Sequence, residues 1–279
     1  MGAQQGDLPL PALELPTAVR PRPQTGRAEV SAPEHRWSGG VSLTPGLMTF
    51  TGEIGDAPAH AHAAVQVLFV ARGRLTLTDA TGYTTPALAA IIPPGVVHQV
   101  HTEPGTSGFL AFLDPDSATA HAALAQLDGQ PRQAATTWVS AATPAPSLSV
   151  GDPVTRPVRR SSHPVVAQAL RRATDWVGGP PSLGELAADI GISVSRLSHI
   201  FTAQVGLPYV AWRRWVRLQL GFAVVRGGGS LTAAAHAAGF ADSAHLTRTC
   251  RDLIGISPTE ALIATGWRPP PARDRAVTE

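Results

Sequence analysis

One segment of this chain is written twice. SLGELAADIGISVSRLSHIF (182–201) aligns with SLTAAAHAAGFADSAHLTRTC (230–250) after a one-residue insertion. Each copy reads as a short helix, a turn holding Gly191 or Gly239, and a second helix with Leu197 or Leu246 at a matching core position. That order is the helix-turn-helix layout, in which the second helix enters the major groove of DNA. Alanines at 187, 188, 235, 237 and 238 suit helices that cross closely. Ser182 with Glu185 three residues on predicts a capping box. A longer helix is expected from about Tyr209 to Val225, stopping at Gly227-Gly228-Gly229. Upstream, Val165, Val166, Ala169, Leu170, Ala173 and Val177 keep helical spacing until Gly178-Gly179-Pro180-Pro181. The second half of the chain is therefore predicted to be all-α.

Charge divides the chain at the same place. Residues 1–155 hold 7 Arg and 12 acids, a balance of −5, whereas residues 156–279 hold 15 Arg and 8 acids, a balance of +7. An acidic half joined to a basic half points to two domains, the second facing a polyanion. Every basic residue is Arg. The single cysteine excludes a disulfide within the chain and a Cys-based zinc site. No run reaches 18 apolar residues and no N-terminal signal pattern stands out, so no membrane partner and a cytoplasmic location are expected.

The first half has a different texture. Six prolines between 9 and 33 predict a disordered tail over 1–34. Over 35–115, short apolar runs (Val65–Val70, Leu75–Thr78, Ala89–Ile92, Phe109–Leu113) broken by Gly and Pro predict a small all-β sandwich or barrel. A helix is expected over 116–128, capped by Asp116 or Ser117. Five prolines among Ser, Thr and Ala over 131–160 predict a linker with little structure of its own.

Residues 182–262 resemble the AraC/XylS family of transcriptional regulators. They carry the doubled motif, the Gly239-Phe240-x-Asp242-Ser243 of the second turn and the closing Gly255-x-Ser257-Pro258. Cys250 and Ala234 stand where that family favours an aromatic and a larger aliphatic. The resemblance implies two recognition helices held roughly one DNA turn apart. The outward positions would be Ser195, Arg196, Ser198, His199 and Thr202 on the first helix. On the second they would be Ser243, Ala244, His245, Thr247, Arg248 and Arg251. Arginine is the best bidentate reader of guanine, while Ser, Thr and His make adaptable or phosphate contacts. Arg213, Arg214 and Arg217 on the connecting helix are expected to be structural or solvated.

His60, His62, Gln66 and Gly73, followed by Pro93, Gly95 and His98, form a second constellation. It resembles the two motifs of the cupin barrel, with Gln66 in the place of the usual Glu. Strand alternation would put His60 and His62 on one face, and a partner strand could bring His98 opposite. Three neutral imidazoles and one oxygen suit a divalent transition metal such as Zn, Fe, Ni or Mn. The same four residues could instead be polar ligands for an organic effector, or a vestigial hydrogen-bonded set. His101 ranks below His98.

The expected fold class is α+β multidomain: an N-terminal all-β cupin barrel (35–115), a helix and linker (116–160), and an all-α DNA-binding domain (161–266). That domain would hold helix-turn-helix motifs at about 182–204 and 230–254, with a tail over 267–279. The expected function is a non-enzymatic, sequence-specific transcription regulator that answers a small-molecule or metal effector bound in the barrel. Its partners would be double-stranded promoter DNA, the effector, RNA polymerase and a second copy of the chain. The competing expectation is a cupin metalloenzyme, of dioxygenase or isomerase type, fused to a DNA-binding module. Between residues 55 and 100 only Asp56 and Asp79 are acidic, which leaves that reading short of a general base.

Overall fold

A computed structural model describes residues 37–142, apart from 45, and residues 163–266. The tail expected over 1–34, the 143–160 part of the linker and the tail over 267–279 lie outside the described residues.

The N-terminal half is a run of short strands: β1 (Ser38–Thr44), β2 (Leu47–Glu53), β3 (Ala57–His60), β4 (Val65–Arg72), β5 (Leu75–Asp79), β6 (Thr84–Ala87), β7 (Ala89–Ile92), β8 (His98–Thr102) and β9 (Ser107–Leu113). They pair into two antiparallel sheets, in the orders β1-β2-β9-β4-β7 and β3-β8-β5-β6. Val65, Leu77, Ala90, Ile91 and Leu110 are fully or almost fully buried between and behind these sheets. Among the described residues no ladder joins the edges of the two sheets. Register fixes the inner face: Gln66 and Met48 both pair with Phe112, so the three side chains point the same way. On the other sheet His60 pairs with His98.

Two helices follow. Helix α1 (Ala118–Ala125) starts on Ser117, whose hydroxyl accepts from the Ala120 N–H. Helix α2 (Ala135–Ala141) lies where a linker was expected. Tertiary packing overrides the weak local signal there. Trp138 is fully buried, its Nε1–H donates to the Arg132 carbonyl, and the Asp79 carboxylate accepts from the Ala135 N–H at 3.1 Å.

The remaining helices are α3 (Pro164–Asp175), α4 (Leu183–Ile190), α5 (Val194–Val205), α6 (Tyr209–Arg226), α7 (Leu231–Ala237), α8 (Ser243–Ile254) and α9 (Pro258–Ala264). The chain is thus α+β, a sheet-rich region followed by a helical one. Helix α3 stops at Asp175, leaving Val177 95% exposed rather than in the core. Helix α9, absent from the expectations, is set by a capping box between Ser257 and Glu260 with Pro258 at its first turn. The long α6 buries residues all round its circumference, from Tyr209, Trp212 and Trp215 to Leu218, Gly221 and Val225. Both helix-turn-helix copies and the sheets cover most of α6, leaving Val210, Arg214, Ala223 and Arg226 exposed.

Candidate DNA-binding face and buried histidine cluster

Both copies of the repeat fold as paired helices with a tight turn. Ser182 and Glu185 form the capping box of α4, and Ser193 caps α5 by accepting from the Arg196 N–H. In the second copy Ser230 caps α7, and Asp242 caps α8 through the His245 N–H at 2.6 Å. Gly239 lies at φ 75°, and a Cβ there would sit 2.8 Å from the Arg217 guanidinium and 2.5 Å from the Gly178 carbonyl. Leu197 and Leu246 are buried, as are Ala187, Ala235 and Ala238. Ala188 and Ala237 are exposed, so not every alanine in the repeat serves helix crossing.

On α5, Ser195, Arg196, His199 and Thr202 are exposed and Ser198 is half-buried. On α8, Ala244, Arg248 and Arg251 are exposed, while Ser243, His245 and Thr247 are half-buried. The Thr247 hydroxyl donates to the Ser243 carbonyl at 2.8 Å, and the His245 ring packs edge-on against Phe240. Those two side chains are therefore already engaged. The α6 arginines hold the domain together: Arg213 Nε–H donates to the Pro180 carbonyl, Arg214 pairs with Asp252 at 2.8 Å, and Arg217 packs on the Gly239 turn.

The second site is enclosed. His60, His62, Gln66 and His98 are exposed by 6% at most, and the three imidazoles offer ring nitrogens within 4.8 Å of one another. His60 ends β3 and His98 begins β8. His62 lies beyond β3 in the passage to β4, so strand alternation is not what turns it inward. Each Nδ1–H donates to a nearby carbonyl: His60 to Pro58 at 2.7 Å, His62 to Ala64 at 2.8 Å, His98 to Val96 at 3.1 Å. Such bonds fix the tautomer and leave each Nε2 lone pair facing inward.

Gln66 Oε1 lies 2.9 Å from His62 Nε2 and 3.1 Å from His98 Nε2. Acceptor thus faces acceptor, with no proton between them. Burial, reinforced by the neighbouring imidazole of His62, lowers the pKa of His60 to about 4 against the pull of the Pro58 carbonyl. Burial likewise lowers those of His62 and His98. Neutral imidazoles cannot supply the missing proton. Either the Gln66 amide turns over to donate from its NH2, or a cation takes the facing lone pairs. Three imidazole nitrogens and one amide oxygen fit a divalent transition metal. His101 is outside this set, mostly exposed and 3.3 Å from Asp56. Asp56 accepts from Thr102, and Asp79 from Thr81, Tyr83 and Ala135, so both acids near the cluster serve the fold.

The cluster lies beneath the helical region. The Trp215 ring stands 6.2 Å from His62 and 5.9 Å from Phe112. Trp215 Nε1–H and Gln219 Nε2–H both donate to Asp114 Oδ1 at 3.0 Å. The Ala61 N–H donates to the Asp252 carbonyl at the end of α8. Gly255, at φ 76° after α8, comes so close that a Cβ would lie 2.9 Å from Ala57 and 3.1 Å from His60 Nδ1. Sequence reasoning missed these seam residues. The one available signal was the pair of tryptophans, Trp212 and Trp215, among the arginines of α6.

A protein-family model described as a helix-turn-helix domain matches residues 186–262. No curated protein matches the chain. Among solved structures, ToxT from Vibrio cholerae aligns at 7% identity over 80% of this chain and 99% of that one, with a TM-score of 0.46. A transcriptional regulator of the AraC-type DNA-binding class from Chromobacterium violaceum aligns at 23% identity over 37% of this chain and 95% of its own, with a TM-score of 0.34. The C-terminal domain of AraT from Geobacillus stearothermophilus aligns at 13% identity over 40% and 93%, with a TM-score of 0.35. The matched residues coincide with the doubled motif read from the sequence: residues 186–262 form a helix-turn-helix domain. The helical half of the chain therefore carries a domain of the DNA-binding helix-turn-helix class. No described helix is long and apolar enough to cross a membrane.

Proposed function

We propose that the chain is a DNA-binding transcription regulator of the AraC type, that it senses an effector through the His60, His62, Gln66 and His98 cluster of a cupin-like double sheet, and that the cluster takes one divalent transition metal. The observation that carries this reading is the set of facing lone pairs, held by three Nδ1–H bonds directly beneath α6 and α8. A bound divalent cation would balance those lone pairs and tie β3, β4 and β8 together. The chain's own part is to fix the imidazole tautomers, exclude water with Phe112, Trp138 and Trp215, and set the Ala61–Asp252 contact over α8. Enclosure favours sensing over turnover, since no side chain of the cluster is more than 6% exposed. DNA would be met by Arg196, Ser195, His199 and Thr202 on α5 and by Ala244, Arg248 and Arg251 on α8, with Ser198, Ser243, His245 and Thr247 at the edges.

Two measurements test it. Elemental analysis of protein purified without chelator should find about one transition-metal equivalent per chain, lost in the His60→Ala/His62→Ala double variant and at acid pH, where imidazoles protonate. Footprinting upstream of the chain's own gene should show protection that the metal-depleted protein alters. A metal-free native protein whose footprint matches the double variant's would end the metal reading and leave DNA binding intact.

A further inference from the structure

The two copies of the repeat use the same turn glycine differently. Gly191 and Gly239 both take positive φ, 79° and 75°, a conformation that favours glycine. Around Gly191 the space is open, and a Cβ there would meet nothing within 4 Å. Around Gly239 it is closed by the Gly178 carbonyl and the Arg217 guanidinium. The approach is reciprocal: a Cβ on Gly179 would lie 2.7 Å from the Ala238 carbonyl. The α3–α4 loop, which leads into the first helix-turn-helix, is thus laid backbone against backbone on the turn of the second. Helix α6 holds that loop in place. Arg213 Nε–H donates to the Pro180 carbonyl at 2.8 Å, and the Tyr209 hydroxyl donates to the Pro181 carbonyl at 2.9 Å. Arg217, one turn further along α6, packs beside Gly239. The two copies are therefore joined twice, once through the 18 residues of α6 and once through this loop-to-turn junction. A single helix can bend along its length. A second tie off its axis closes the frame.

We infer that the junction of Gly178-Gly179 with Ala238-Gly239 sets the distance and rotation between the two recognition helices, and makes the chain intolerant of altered half-site spacing. Gly179, Gly239 and Arg217 are its positioning residues. Each base pair added between half-sites moves the second about 3.4 Å along the DNA axis and turns it by about 35°. Two readers fixed in one frame cannot follow both changes. The inference rests on the reading of α5 and α8 as DNA-contacting helices and adds what fixes their separation.

The test titrates full-length protein onto duplexes carrying the segment protected upstream of the chain's own gene. These have the natural spacing, or one base pair inserted or deleted between the half-sites. The wild type should bind the altered duplexes at least tenfold more weakly. Gly179→Ala and Gly239→Ala push a methyl into the junction from opposite sides. Each should narrow that gap to threefold or less with an unchanged circular dichroism spectrum. Gly191→Ala carries the same positive-φ strain in the open turn and should keep the full gap. A wild type that binds every spacing within threefold overturns the inference, whether or not the alanine variants fold. Full discrimination in a folded Gly179→Ala or Gly239→Ala also overturns it, as does an equal loss in Gly191→Ala, which would trace the effect to turn strain. A wild type that protects no DNA at all ends the regulator reading itself, and this inference with it.

Discussion

The two copies of the repeat share a plan and differ in what surrounds them. The first recognition helix, α5, packs on α3, α4 and α6, and its far end closes on Gly206. The second, α8, ends on Gly255 against Ala57 and His60, with the Asp252 carbonyl taken by Ala61. One reader packs chiefly on the helices of its own domain. The other also leans on the sheet region and on the histidine cluster inside it. On the proposed sensing role, a signal arising in the cluster would reach α8 by direct contact and α5 through the helices packed on it.

The largest expected effect breaks the seam behind this asymmetry. Trp215 is fully buried between His62, Phe112 and Asp114. Trp215→Ala should cost about 3–5 kcal/mol of stability in urea unfolding, the usual toll of a large core truncation. A cost below about 1 kcal/mol would mean that the two regions barely touch in solution.

Acid comes next. In metal-free protein the three imidazoles sit below their unfolded value of 6.5, His60 at about 4. The unfolded chain therefore binds more protons as pH falls, so stability is complete above 6.5 and declines from there toward 4. Denaturant midpoints at stepped pH should show this fall, and the slope should flatten in His60→Gln. An identical slope in that variant would place the acid sensitivity elsewhere.

On DNA, Arg196→Ala and Arg248→Ala should each weaken operator binding, by about 1–3 kcal/mol where the arginine is bidentate to a base. The comparison sharpens in the footprint. Changing the histidine cluster should disturb protection at the half-site lost in Arg248→Ala and spare the half-site lost in Arg196→Ala. Equal disturbance at both would show that the two readers move as one. The smallest effects belong to the caps: Ser182→Ala and Asp242→Ala should each cost about 1 kcal/mol in thermal unfolding. The comparison predicts that only Asp242→Ala, which frees α8, also changes operator binding.

Local structure was legible to different depths in the sequence. The doubled helices were readable because caps, Gly turns and apolar spacing are short-range signals, and Ser182, Glu185, Gly191 and Gly239 act where they stand. The convergence of His60, His62, Gln66 and His98 was readable because their spacing matches a known motif, although His62 turns inward from a loop rather than a strand. Helix α2 escaped because its order comes from Asp79 and the burial of Trp138, not from its own residues. The seam escaped for the same reason at greater range: Trp215 and its acceptor Asp114 are 101 residues apart. Nothing local to either residue marks the pair.

Asp114 bears on how such chains can be recombined. Its one oxygen receives both Trp215 and Gln219, so the sheet region recognises a particular surface of α6 rather than any helical partner. Transplanting a foreign reading head onto these sheets, with an arbitrary residue pair at those two positions, would strand an almost fully buried carboxylate without its donors. A working chimera must carry the Trp and the Gln across with the graft, or replace Asp114 with an apolar residue in the recipient.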